Sequence, residues 1–125
     1  MLPSGHRMRR RDEFTLAVRR GRRAGRPNVV VHLLRRDDAA EESATDDRPL
    51  VGFIVARNVG NAVVRNSVRR RLRHLVRAHL DRLPRGSLLV VRANPSAGAA
   101  RHDELAADLE SALDRLLRPA SKGRR

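Results

Sequence analysis

Gly60-Asn61-Ala62-Val63-Val64-Arg65-Asn66-Ser67-Val68-Arg69-Arg70-Arg71-Leu72-Arg73 reads as a tight turn running into an amphipathic helix. At 100° per residue, Val64, Val68, Leu72, Leu75 and Val76 share one arc of about 120°, the stripe that a core needs. Asn66, Arg69, Arg70, Arg73 and Arg77 fill the adjacent arc, from about 140° to 240° on the same scale. Arg65 and Arg71 fall at the two apolar margins. The spacing predicts a helix from about Asn61 to Leu80. A solvated helix face ordinarily mixes signs, with Glu four residues before Lys or Arg. Here no acidic residue occurs between Arg57 and Leu80. Arg65 also opposes the helix dipole in the first turns, at a cost of ~0.3–1 kcal/mol without evident local compensation. The face therefore reads as a polyanion-binding surface carried on a folded core.

Outward from this helix, Leu50–Ala56 precedes it as an apolar strand and Ser87–Arg92 follows it as a buried one, after a Pro84-Arg85-Gly86 turn. Asn28–Leu34 is a β-branched strand, expected to pair antiparallel with Leu50–Ala56. Between those two, Asp37, Asp38, Glu41, Glu42, Asp46 and Asp47 hold six of the 14 acidic residues. The segment 37–48 has no large apolar side chain and reads as a flexible, solvated loop. Arg11–Arg19 is expected to be a short helix, with Asp12 and Glu13 favoured in its first turn and Gly21 just beyond its end. Gly21–Pro27 reads as a basic loop. Asn94–Ala100 reads as a loop, and Asp103–Leu117 as a last helix with Leu105, Leu109, Leu113 and Leu116 at helical spacing. A basic tail, 119–125, closes the chain. The order α-β-β-α-β-α makes a small α+β single domain over residues 1–125.

Composition agrees. A net charge of +14 and a pI near 11.9 point to nucleic acid first and an anionic membrane second. Every basic side chain except Lys122 is arginine, which suits bidentate phosphate contact but also fits the bias of a GC-rich genome. The absence of cysteine excludes a disulfide scaffold and a thiolate zinc site and suits the cytoplasm. No signal-like or membrane-spanning run is present. Phe14 and Phe53 are the only aromatics, so recognition by several stacked bases on a sheet is not expected. The five histidines show no paired metal-ligand spacing, and no catalytic set is apparent. A second basic patch comprises Arg7, Arg9, Arg10, Arg11, Arg19, Arg20, Arg22, Arg23 and Arg26. The acidic last helix, with Asp108, Glu110 and Asp114, should face away from phosphate.

Gly60-Asn61-Ala62-Val63 with Arg65, Asn66, Arg69, Arg70 and Arg73 resembles the signature of the bacterial ribonuclease P protein component. The likeness extends to Arg10-Arg11-Asp12-Glu13-Phe14, Arg20-Gly21, Leu89-Val90-Val91-Arg92 and the last helix. The resemblance implies a ribosomal-protein-like mixed sheet with one more strand before the long central arginine-rich helix, which the segment from Asp46 to Ala56 was the expected place to supply. It also implies a left-handed crossover around that helix. Its implied role is to bind a catalytic RNA and the 5′ leader of precursor tRNA, while the RNA removes the leader using Mg²⁺. RNA contact is then expected from Arg57, Asn61, Arg65, Asn66, Arg69, Arg70, Arg73 and Arg77. A leader cleft between the first helix and the sheet is expected from Arg10, Arg11, Phe14, Val18, Val30, His32 and Phe53. The resemblance implies no catalytic residue or metal site in the protein, no membrane, and a monomer within the holoenzyme. Two departures stand out. Ser67 replaces the second arginine of the signature, so one contact is lost or passes to Arg71. Val18 stands where a second aromatic is common. A ribosomal or rRNA-assembly protein without an enzyme role is the alternative; a DNA-binding helix-turn-helix has too few helices here.

Overall fold

The computed structural model describes residues 11–35, 49–84 and 86–118. The acidic segment 37–48, the tail 119–125 and Arg10 lie outside them. In chain order the elements are α1 (Arg11–Arg20), β1 (Arg22–Gly25), β2 (Val29–Leu34), β3 (Leu50–Ile54), α2 (Ala62–Arg77), β4 (Leu88–Ala93) and α3 (His102–Leu117). Short 3₁₀ turns at Arg57–Val59, Leu80–Arg82 and Pro95–Ala99 join them.

The sheet runs β1-β2-β4-β3. β4 pairs antiparallel with β2, Val31 opposite Val91, and parallel with β3, Phe53 opposite Val91. This corrects the expected β2–β3 hairpin: the two strands are separated by β4. The reason lies in Leu88-Leu89-Val90-Val91, four consecutive buried side chains. Such a run marks a strand covered on both faces, and it takes the centre. β3 and β4 are parallel, so α2 is their crossover.

The additional strand is β1, from residues read as a basic loop, and not part of 46–56. Of Arg22-Arg23-Ala24-Gly25 only Ala24 is buried. An edge strand with charged side chains leaves almost no apolar signal. Gly21 permits the sharp passage from α1 into β1. Its N–H donates to the Ala17 carbonyl at 2.9 Å, and a Cβ there would lie 2.8 Å from the Leu33 carbonyl oxygen. α2 ends at Arg77, three residues before the expected Leu80, and a 3₁₀ turn takes its place.

Strand alternation splits the core. Val29, Val31 and Leu33 of β2, Leu89 and Val91 of β4, and Val51 of β3 face α2 and α3. They pack with Val68, Leu72 and Val76, the stripe read from the sequence, and with Leu105, Leu109, Leu113 and Leu116. Full burial of one such side chain stabilises by about 1.5–3 kcal/mol. On the opposite face Leu34, Leu88 and Val90 pack against Ala17 of α1, with Phe14, Leu16, Leu50 and Ile54 around them. The domain is thus helix, sheet and helix pair in three layers.

Candidate nucleic-acid interface

The turn into α2 is set by close contacts. Gly60 has φ 157°, and a Cβ there would stand 2.7 Å from Val64 Cγ1. Asn61 caps the helix, its side-chain oxygen accepting the Val64 N–H at 3.0 Å. We expect Gly60→Ala to cost about 1–2 kcal/mol, from the φ and the crowding together. Urea unfolding against the native chain measures it.

The helix presents its cations in two ways. Arg65 folds back, its Nε–H donating to the Gly60 carbonyl at 3.2 Å, so its adverse place in the dipole does have a local compensation, contrary to expectation. Arg69 donates to the Asn66 side-chain oxygen at 3.1 Å, which orients its guanidinium outward. Arg57, Arg70 and Arg77 are exposed. Arg73 is half-buried. Arg71 turns the other way and donates to the Ala100 carbonyl at 3.3 Å, clamping α2 to the segment before α3. In this arrangement its guanidinium is engaged by the fold. His74 is exposed, with its ring centroid 6.0 Å from that of His102.

The second basic patch divides. Arg22 donates to the Leu116 carbonyl at 3.1 Å, and Arg26 to Ser111 Oγ at 2.8 Å, tying β1 and the turn after it to α3. Arg19, Arg20 and Arg23 stay exposed. Two carboxylates of α3 are similarly engaged: Asp108 accepts the Asn28 N–H at 2.9 Å, and Asp114 pairs with Arg82.

Of the residues expected in a cleft, Phe14, Val30 and His32 share the α1 side of the sheet, and Val18 of α1 is 37% exposed. Arg11 lies in α1. Phe53 does not join them. It is odd in the register of β3 and packs on the α2–α3 side, so the sheet separates it from Phe14. The even position, Ile54, takes its place on the α1 side. The sequence reading also missed two cations on this face. Arg23 is the cross-strand partner of His32, and Arg92 pairs with Val30. Alternation alone would have found Arg92, two residues from Val90. The resulting surface has an apolar floor flanked by two guanidiniums, a fit to single-stranded nucleic acid.

His32 is the anomaly of that floor. It is 4% exposed, and neither ring nitrogen has a hydrogen-bond partner among the described residues. Burial, then the charges of Arg23 and Arg92, hold its pKa below the ordinary 6.5. His79 is also lowered, by burial and Arg82, with Glu110 and Asp114 pulling the other way. A lowered histidine costs nothing above 6.5. Below it the unfolded chain takes up protons that the native state refuses, so stability falls with pH. The urea midpoint is expected to drop between about pH 7.5 and 5.5, and to drop less in His32→Leu.

Comparison with known proteins places these surfaces in context. The family model described as Ribonuclease P matches residues 2–117. The ribonuclease P protein component of Streptomyces griseus is 58% identical, covering 94% of this chain and 96% of that one. That of Corynebacterium diphtheriae is 45% identical, covering 94% and 98%. Among solved structures, the RNase P protein of Staphylococcus aureus matches with a TM-score of 0.75 at 21% identity, over 88% of this chain and 94% of that one. The Thermotoga maritima RNase P protein gives 0.68 at 23% identity, over 92% and 98%.

Proposed function

Because the chain belongs to the ribonuclease P protein family, we propose that its two basic surfaces divide the work of that enzyme. It is the protein subunit of ribonuclease P, whose partner is the ribonuclease P RNA. In this family the RNA carries the chemistry. We assign the outward arc of α2, with Arg69, Arg70, Arg73 and Arg77, to the RNA subunit, supported by Arg57, Asn61, Arg65 and Asn66 at the helix start. We assign the α1 side of the sheet to the 5′ leader of precursor tRNA. There Phe14 and Val18 offer apolar contact, Val30 and Ile54 the floor, and Arg23 and Arg92 the phosphate charge.

The observation that carries this reading is the one-signed face of α2, without a carboxylate from Arg57 to Leu80. Cations fixed on a folded surface offset phosphate repulsion between two RNAs. Less Mg²⁺ is then needed to hold the RNA subunit and its substrate together. Among the described residues no helix is long and apolar enough to cross a membrane. We place the protein in the cytoplasm, as a monomer within the holoenzyme. The test is cleavage of precursor tRNA by the ribonuclease P RNA at low Mg²⁺, with and without the protein. Stimulation is expected; its absence would overturn the assignment of the two basic surfaces.

A further inference from the structure

We propose that leader binding is coupled to uptake of one proton at His32, whose charge then adds to those of Arg23 and Arg92 on the leader side of the sheet. The proposal rests on the reading of the α1 side as the leader cleft. Its first support is the burial of an imidazole with both nitrogens unpaired, so that the charges beside it, and no hydrogen-bond partner, set its protonation. The second is position. Arg23 is opposite His32 across the β1–β2 pair. Arg92 of β4 is opposite Val30, two residues from His32 on the same face. Opposed and diagonal side chains at such positions act on one another directly.

The third support is the sign of the surroundings. β1 contributes Arg23, β4 Val90 and Arg92, β3 Gly52 and Ile54, and α1 Phe14, Ala17 and Val18 with Arg19 and Arg20 at its end. No carboxylate acts on His32 among the described side chains. Burial and two cations therefore hold the free imidazole neutral. A phosphodiester between the two arginines reverses that balance. It cancels their repulsion and places a negative charge beside the buried ring, which favours the protonated form without contact to either nitrogen. The proton comes from solvent, and no other bond changes.

The linkage has a definite direction. The bound state holds the proton more tightly than the free state, so leader affinity rises as pH falls, with a limiting slope of about tenfold per pH unit. The experiment uses the reconstituted holoenzyme and a non-cleavable precursor, with mature tRNA as the leaderless control. Their affinity ratio isolates the leader and is read from about pH 8 to 5.5. A ratio that rises several-fold toward low pH, and is flat in His32→Gln, supports the proposal. A flat native profile, or a native slope retained in His32→Gln, overturns it. Should His32→Gln lose affinity for the RNA subunit and so prove misfolded, the native profile alone decides. Phe14→Ala separates the two readings. If it lowers the ratio at every pH while the native profile is flat, the cleft stands and the proton coupling falls. If it leaves the ratio untouched and the native profile is also flat, the cleft falls and the coupling with it.

Discussion

Replacing Arg69, Arg70 and Arg77 together with alanine is expected to weaken binding to the ribonuclease P RNA on the order of a hundredfold, at about 1 kcal/mol net for each lost charge-assisted contact. The same variant should flatten the dependence of log affinity on log salt by about 2–3, since each phosphate contact contributes about 0.7–0.9. These three side chains stand on the outward arc, where Arg69 donates to Asn66. Removing them leaves Val68, Leu72 and Val76 in the core and the Arg71 clamp in place. Stability should therefore change little, and alanine favours the helix. Fluorescence titration against salt concentration gives both numbers. A weaker affinity with an unchanged slope would mean that phosphate is not what this face binds.

Phe14→Ala is expected to reduce affinity for precursor tRNA by roughly 5- to 150-fold within the holoenzyme, the value of about 1–3 kcal/mol for one stacked base. Affinity for mature tRNA should stay near its native value. Phe14 is half-buried against Leu34, Leu88 and Val90, so part of its ring faces the α1-side surface. Val18 offers no second ring, which concentrates stacking on one residue. Equal losses for precursor and mature tRNA would remove the cleft assignment.

Much of this was readable from the chain because periodicity speaks clearly in long elements. The five-residue apolar stripe of α2 and Leu105, Leu109, Leu113 and Leu116 of α3 placed both helices, and the buried positions match. Strand order was less accessible. Asn28–Leu34 and Leu50–Ala56 look alike whether they are neighbours or flank a third strand, and only the continuous apolar run of 88–91 distinguishes the cases. β1 escaped because an exposed edge strand of two arginines, Ala24 and Gly25 has no apolar pattern. For the site, residue types were legible but directions were not. Phe53 looked equivalent to Phe14 until the register of β3 turned it to the other face. Arg71, at the apolar margin of the helix, had no direction until its bond to Ala100 drew it inward. Hydrogen bonds between residues distant in sequence decide which arginines are engaged by the fold.

The two-surface account is tested most directly by crosslinking from single cysteines, for which a chain without native cysteine is well suited. Arg70→Cys and Val18→Cys, each carrying a short photoreactive group, are assembled into the holoenzyme with leader-bearing precursor tRNA. The account predicts that the group at position 70 captures the ribonuclease P RNA and the group at position 18 captures leader nucleotides. Leader captured from position 70, or none from position 18, would contradict it.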